Sequence, residues 1–246
     1  MEVELSSRVA IATATLYNLN SESDRVRAEL SKKTIKLARK LGYEIVVVDG
    51  GSPDKLLREF GNCGAKLHLQ KTKGFGNSRR EAIWYASNLG KDVIVWMEPE
   101  KAPYIPEIAK TVRPIVNGSA DMVVPKRKSL KSYPSMQQSL ERAGNLLWEK
   151  LTGLDLDVCF GPKAWRRELS SYFLDYGGEY GDAWGIIFIP VMDAISDGKR
   201  VISVEVDYTH PPEQTKVEED DLEFHLKRIE QLYLLGNALI THTRKL

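Results

Sequence analysis

The sequence predicts an α/β fold: a Rossmann-like, mainly parallel sheet with helices on both faces. Two patterns predict it. Short β-branched runs alternate with amphipathic stretches through the first half of the chain. The runs are apolar almost throughout rather than alternating, as strands covered on both faces require. With 246 residues, 42% of them hydrophobic, the chain is long enough to bury one sizeable core, so a single domain is expected.

The elements follow in order. Residues 8–15 (Arg-Val-Ala-Ile-Ala-Thr-Ala-Thr) read as a strand, 22–41 as a charged amphipathic helix and 43–49 (Tyr-Glu-Ile-Val-Val-Val-Asp) as a second strand, which makes a βαβ opening. A helix near 53–60, a strand over 65–70, a helix over 77–89, a strand over 92–97, a helix over 106–116 and a strand over 120–124 continue the alternation. The second half mixes helices with single strands: a helix over 135–151, a short extended piece over 157–160, a helix over 184–195, a strand over 200–207 and a final helix over 222–240. Loops are expected over 126–134 and 210–221, and no internal repeat or low-complexity tract appears.

Charge and composition exclude several classes. Lys and Arg total 35 against 34 Asp and Glu, and a net charge of +1 gives no global field for nucleic acid or an anionic membrane. Met1–Ser7 lacks the basic start and apolar core of a signal peptide, and the longest apolar runs, Val93–Met97 and Gly185–Met192, are too short to span a bilayer. A cytoplasmic protein is expected. Cys63 and Cys159 have no metal-ligand spacing and read as reduced thiols.

In an open parallel sheet, ligands bind beyond the carboxyl ends of the strands, so polar residues just after each strand are the candidates for function. Thr13, Thr15 and Asn18 follow the first strand, Asp49-Gly50-Gly51-Ser52 the second, Glu98-Pro99-Glu100 the fourth and Asp207-Tyr208-Thr209-His210 the late one. Asp49 could accept hydrogen bonds from a ribose or base while Gly50 lets backbone approach a ligand; Asp-Gly-Gly-Ser is equally the composition of a plain turn. The stretch from Lys71 to Glu81 (Lys-Thr-Lys-Gly-Phe-Gly-Asn-Ser-Arg-Arg-Glu) puts backbone donors and Arg79 and Arg80 at a helix start. Positive charge there is unfavourable unless an anion joins it, so the segment is a candidate diphosphate cradle, or else a solvated loop. Glu98 and Glu100 leave their strand at alternate positions and could turn towards one divalent cation; an exposed Glu-x-Glu is the simpler alternative. His210 could complete such a shell or touch phosphate. Asp182 is a candidate catalytic base or a helix cap, and Cys159, Trp165 and Trp184 read as core or pocket wall.

Taken together these segments resemble family-2-type glycosyltransferases of the GT-A (nucleotide-diphospho-sugar transferase) fold, including the dolichyl-phosphate mannose synthase and glucosyl-phosphoglycerate synthase types. The resemblance rests on Val46-Val-Val-Asp-Gly-Gly-Ser-Pro-Asp54, Lys73-Gly-Phe-Gly-Asn-Ser-Arg-Arg-Glu-Ala-Ile83, Ala120-Asp-Met-Val-Val-Pro-Lys-Arg127, Leu151-Thr-Gly-Leu-Asp-Leu-Asp157 and Gly161-Pro-Lys-Ala-Trp-Arg-Arg167, in the family's order along nearly the whole chain. It implies that Thr13, Thr15, Asp49, Gly50, Lys73, Gly74 and Arg79 line the nucleotide. It also implies that Glu98 and Glu100 stand where the family has its Asp-x-Asp metal motif, with His210 the late ligand to Mg2+ or Mn2+, and Asp182 near the base of the inverting members. Two departures are visible: each Glu is one methylene longer than Asp, and the usual Glu-Asp pair at the base is missing.

The expectation is a hexosyltransferase moving a sugar from a nucleoside-diphosphate sugar to an acceptor, residues 1–127 forming the nucleotide half and 128–246 the acceptor half with the C-terminal helix. The alternatives are a sugar-nucleotide-binding protein without turnover and a sugar-phosphate nucleotidyltransferase. A small soluble acceptor is preferred over a lipid phosphate, and no nucleic-acid partner is expected. Leu222, Leu226, Ile229, Tyr233, Gly236 and Ile240 share one stripe of the last helix, read as packing on the domain, with a homodimer contact or a membrane surface as the other uses.

Overall fold

Alternation decides which side of the sheet each residue feeds. In β1 (Val9–Thr15), Ala10 and Ala12 point to one core and Val9 and Ile11 to the other, all fully buried. In β2 (Glu44–Asp49), Val46 and Val48 join the first core, and Ile45 and Val47 the second. The computed structural model describes residues 5–243, so the start of the acidic stretch Met1–Ser7 lies outside the described residues.

The sheet has seven strands in the order β3-β2-β1-β4-β6-β5-β7. β1 pairs in parallel with β2, Thr15 opposite Asp49, and with β4 (Val93–Trp96), Ala12 opposite Trp96. β3 (Lys66–Leu69) extends that edge in parallel. On the other side β6 (Lys163–Arg166) runs antiparallel between β4 and β5 (Met122–Arg127), and β7 (Val201–Val206) closes the far edge parallel to β5.

Helices cover both faces, as expected. Between the strands run α1 (Glu22–Lys40), α2 (Asp54–Asn62), α3 (Phe75–Ser87) and α4 (Ile108–Val116), followed by α5 (Ser135–Thr152), α6 (Ser170–Leu174), α7 (Gly185–Ser196), α8 (Pro212–Glu218) and α9 (Leu222–Thr243). Ala82, Ile83 and Ala86 of α3, Trp148 of α5 and most of α7 fill one core; Ala28 and Ile35 of α1, Phe60 of α2 and Ile108 and Val112 of α4 fill the other. The Ser21 hydroxyl caps α1 by accepting from the Asp24 amide at 3.0 Å.

Several expectations need correction. Residues 157–160 form a turn rather than an extended piece, held by the Asp157 carbonyl accepting from the Phe160 amide at 3.1 Å. The strand next to it, β6, was not foreseen: it has four residues and begins on a lysine, a signal too short and too polar for periodicity. Lys163 is nevertheless fully buried, its ammonium donating to the Phe160 carbonyl at 3.0 Å and reaching those of Val158 and Gly161 at 3.4 Å. The expected loop 210–221 contains α8, and the helix expected over 106–116 opens as a 3-10 turn, Ala102–Glu107.

The stripe on α9 is also reversed. Leu222, Leu226, Ile229, Tyr233 and Ile240 are exposed, whereas Phe224, Leu235, Ala238 and Leu239 pack inward. The helix has two apolar faces, and the inward one is interrupted by Lys227, Arg228 and Gln231, which border a cavity. Among the described residues no helix is long and apolar enough to cross a membrane.

Candidate active site

The carboxyl ends of β1, β4 and β5 open onto one cavity of about 420 Å3, within the range that holds small ligands. Thr15, Leu16 and Tyr17 continue β1 into its wall, Gly74, Ser78 and Arg79 enter from the start of α3, and Glu98 to Lys101 follow β4. Arg127 comes from the end of β5, and the second half of the chain supplies Trp184, His210, Lys227 and Arg228.

The residues assigned to the nucleotide divide in two. Thr15, Gly74 and Arg79 line the cavity. Thr13 does not: it is fully buried within β1, two residues short of the strand end, with no hydrogen-bond partner for its hydroxyl. Asp49 is buried too, and it organises its own loop. Its carboxylate accepts from Thr15 Oγ1 at 2.7 Å, the Gly51 amide at 2.8 Å, the Ser52 amide at 2.6 Å and Ser52 Oγ at 2.7 Å, which fills the positions a ribose or base would need. The turn alternative therefore describes Asp-Gly-Gly-Ser, and Asp49 acts on the cavity by fixing Thr15. Gly50 is tied back to β1 by its amide donating to the Thr15 carbonyl at 2.8 Å, and neither it nor the exposed Lys73 borders the cavity.

The glycine loop is built around Gly74, whose φ of +116° suits no side chain. Glu81 fastens the preceding segment, its two oxygens each accepting at 2.8 Å from the amides of Lys71 and Thr72. One turn into α3, Arg79 is nearly fully buried. Its guanidinium carbon lies 4.2 Å from the ring centre of Phe75, 5.2 Å from Trp184 and 5.4 Å from Trp96. One nitrogen donates to the Ala183 carbonyl, Nε has no partner, and no carboxylate among the described residues pairs with it. Burial pushes the guanidinium down to about 10. The mismatch visible in the sequence is met only in part: Asp182 pairs with Arg80 at 2.7 Å, and Arg79 is left without an ion pair.

The three residues assigned to a metal all border the cavity but do not gather into a cation site. Glu98 faces Lys101 Nζ at 3.8 Å; burial pushes its carboxyl up, and Lys101 and Arg79 outweigh that and hold it below the usual range. Its carboxylate occupies the space a side chain at Gly161 would take, an added Cβ falling 1.6 Å from Oε1. Glu100 turns elsewhere and accepts from the Tyr17 hydroxyl at 2.9 Å. His210 is buried, its Nε2 3.3 Å from a Glu218 oxygen and its ring stacked on Tyr133. Among the described residues no group of three or more His, Cys, Asp or Glu could hold a metal ion. The assignment of Glu98, Glu100 and His210 as one shell is corrected accordingly: Glu100 and His210 are turned to Tyr17 and Glu218, while Glu98 faces Lys101 at 3.8 Å with its Oε2 buried and without a hydrogen bond.

Asp182 is likewise not brought into the cavity. It forms an ion pair with Arg80 at 2.7 Å and packs against Gly76, where an added Cβ would lie 2.3 Å from its carboxylate. This arrangement serves the α3 start rather than an acceptor.

The cavity floor joins the last residues of two of the segments that carry the resemblance, Arg127 and Asp157, neither of them assigned a role by the sequence. Arg127 is buried and forked onto Asp157, with Nε and one terminal nitrogen each 2.7 Å from its oxygens, while the other nitrogen meets Glu141 at 2.7 Å. Asn145 adds a donor to Asp157 at 2.7 Å. Arg27 and Lys227 were also missed, because each sits among polar residues on an amphipathic helix and reads as solvated charge.

Sheet order, strand-end cavity and glycine loop define the GT-A class of fold. Solved structures with this fold align along nearly the whole chain. Glucosyl-3-phosphoglycerate synthase from Mycobacterium tuberculosis, in complex with Mn2+, UDP-glucose and phosphoglyceric acid, matches with a TM-score of 0.63 at 15% identity, over 96% of this chain and 84% of that one. The same enzyme with Mn2+ and UDP-glucose matches with a TM-score of 0.64 at 14% identity, over 96% and 83%, and it has also been solved with Mg2+ and UDP. A mycobacterial protein matches with a TM-score of 0.62 at 15% identity, over 98% and 77%. No protein-family model matches the chain, and no curated protein matches it in sequence. The GT-A fold expected from the sequence is thus found.

Proposed function

We propose that this chain is a glycosyltransferase that binds a nucleoside-diphosphate sugar in the strand-end cavity and transfers the sugar to a small acceptor. One observation carries the reading: the cavity is lined by six basic side chains (Arg27, Arg79, Lys101, Arg127, Lys227, Arg228) and three acidic ones (Glu98, Glu100, Glu141), and with Asp157 and Glu218 pairing Arg127 and Arg27 from just outside the lining, Arg79 and Lys227 are left without an ion pair. A buried excess of cations at the ends of parallel strands is matched by the charge of a diphosphate. Positive groups fixed there stabilise the charge that develops on a departing diphosphate as the anomeric bond breaks. In this reading Thr15 and the Gly74 backbone border the nucleotide, and Arg79 meets the diphosphate. Residues 1–127 supply most of the donor site, and the second half adds the side facing the acceptor. The UDP-glucose and phosphoglyceric acid named for the similarly folded enzyme support a sugar nucleotide and a small soluble acceptor.

A thermal-shift series with uridine, guanosine and adenosine diphosphate sugars, with and without manganese, tests the reading, because bound donor raises the melting temperature by mass action. A shift with at least one donor is expected; no shift with any of them would remove it. Release of nucleoside diphosphate with an acceptor separates transfer from nucleotidyltransfer, which releases pyrophosphate from a nucleoside triphosphate. A second reading, donor binding without turnover, is favoured by one observation: Asp182 is tied to Arg80 outside the cavity. Donor shifts with no sugar transfer or hydrolysis across an acceptor series would select it.

A further inference from the structure

Two cations face the cavity without an ion pair, Glu98 and Asp182 acting on Arg79 and Glu100 on Lys227 only at longer range, and both lean on the same ring. Arg79 approaches Trp184 from α3, at 5.2 Å from the ring centre, and Lys227 Nζ approaches it from α9, at 5.1 Å. Among the described residues no carboxylate forms an ion pair with either. Arg27 stands behind them on α1, one nitrogen on Glu218 at 2.5 Å and Nε buried without a partner; Arg228 Nε is buried without a partner as well. The other basic side chains of the cavity are committed: Arg127 to Asp157 and Glu141, and Lys101 to Glu98. Burial and the nearby Arg27 and Arg228 guanidiniums push the Lys227 ammonium down to about 8, as expected where positive charges crowd together with too few anions.

We propose that Arg79 and Lys227, backed by Arg27 and Arg228, hold the diphosphate in place of a divalent cation, so that this chain binds nucleoside diphosphates without metal. The proposal rests on the donor-site reading above and deepens it. Its physical basis is charge economy. A cation placed beside Glu98 would sit among Lys101, Arg79 and Lys163, all within electrostatic reach of that carboxylate, and the like charges would repel it. A diphosphate entering beside Trp184 would instead meet two uncommitted cations in a partly dry wall, where charge-assisted hydrogen bonds are strongest. Lys227 is the side chain that distinguishes the arrangement. It comes from the last helix, breaks that helix's apolar inward face and, apart from the Trp184 ring, has no partner within hydrogen-bond or ion-pair distance among the described residues.

Isothermal titration of the full chain with uridine, guanosine and adenosine diphosphate, once with manganese and once with a chelator, tests the proposal. The expected result is that at least one diphosphate binds with the same affinity in both buffers. Lys227→Met and Arg79→Met are expected to weaken it about tenfold or more in each, and Lys227→Arg to restore most of the loss. Melting curves of the unliganded variants establish that they fold; if a variant does not, the chelator comparison on the parent chain still decides. Binding that disappears on chelation, or folded variants that bind like the parent, would overturn the proposal while leaving the donor site intact. No binding of any diphosphate in either buffer would overturn the donor-site reading, and this inference with it.

Discussion

Replacing Asp157 by alanine removes the main counter-charge of Arg127 while leaving the guanidinium buried under the cavity. Asp157 accepts two 2.7 Å bonds from Arg127 and a third from Asn145, and both charged side chains are almost wholly enclosed. Breaking a buried pair by deleting one partner costs about 3–5 kcal/mol, because the remaining charge has lost its compensation. Here Glu141, 2.7 Å from the same guanidinium, retains part of it, so the loss is expected at the lower end, about 3 kcal/mol. For a chain of this size that corresponds to a melting temperature lower by about 6–12 °C. Urea unfolding followed by circular dichroism measures it, with Asp155→Ala as the control: Asp155 pairs with Lys126 on the surface, where a pair is worth about 0–1 kcal/mol. The pH dependence has a definite sign. Burial pushes the Asp157 carboxyl up, but Arg127 outweighs that and holds it below its ordinary value. Its contribution is therefore complete above about pH 4, the unfolded carboxylate value, and is lost as pH falls through the lower folded value. A loss in Asp157→Ala no larger than in Asp155→Ala, at neutral pH, would refute the network argument.

Gly161→Ala is expected to cost about 1–3 kcal/mol through overpacking, since its Cβ would fall 1.6 Å from Glu98 Oε1; adding Glu98→Ala should recover most of the loss, and a cycle of urea midpoints with no coupling would contradict the packing. Gly74→Ala should destabilise the chain by about 1 kcal/mol or more, because φ is +116° there, and an unchanged midpoint would show that the loop adopts another backbone. Nucleoside diphosphate affinity should fall as salt is raised, since the half-exposed Lys227 and the attraction of the anion to the cavity from solution are screened; salt-independent binding would point to contacts with the base and sugar alone. Thiol labelling with and without urea should find Cys159 slow in the folded chain, burial having pushed its thiol far up, and fast labelling would show that the cavity floor opens.

Periodicity made most of the fold legible. The apolar runs of β1, β2 and β4 and the amphipathic helices between them are strong local signals, and the mainly parallel sheet with helices on both faces follows from them. What escaped were elements whose stability is wholly tertiary. β6 has four residues and a charged start, and it exists because β4 and β5 leave an antiparallel slot between them and three carbonyls receive the Lys163 ammonium. The direction of α9 could not be read either, since both of its faces carry apolar residues and only packing against α5 and α7 selects one.

The site divides along the same line. Sequence by itself determined that the glycine loop before α3 carries arginines at a helix start, where a positive charge is unfavourable without an anion; this depends only on local chain geometry. Whether a polar residue after a strand faces a ligand or its own loop is decided by where its hydrogen bonds go, and that is a matter of neighbours distant in the chain. Asp49 therefore reads in the sequence as either a ligand contact or a turn residue, and the fold selects the turn, Thr15 and Ser52 taking its oxygens. Glu98 and Glu100 read in the sequence as a pair for one cation or as exposed charges, whereas Glu98 turns towards Lys101 at 3.8 Å and Glu100 accepts from Tyr17. Lys227, 148 residues after Arg79, reaches the same tryptophan only because α3 and α9 pack into the same core on one face of the sheet.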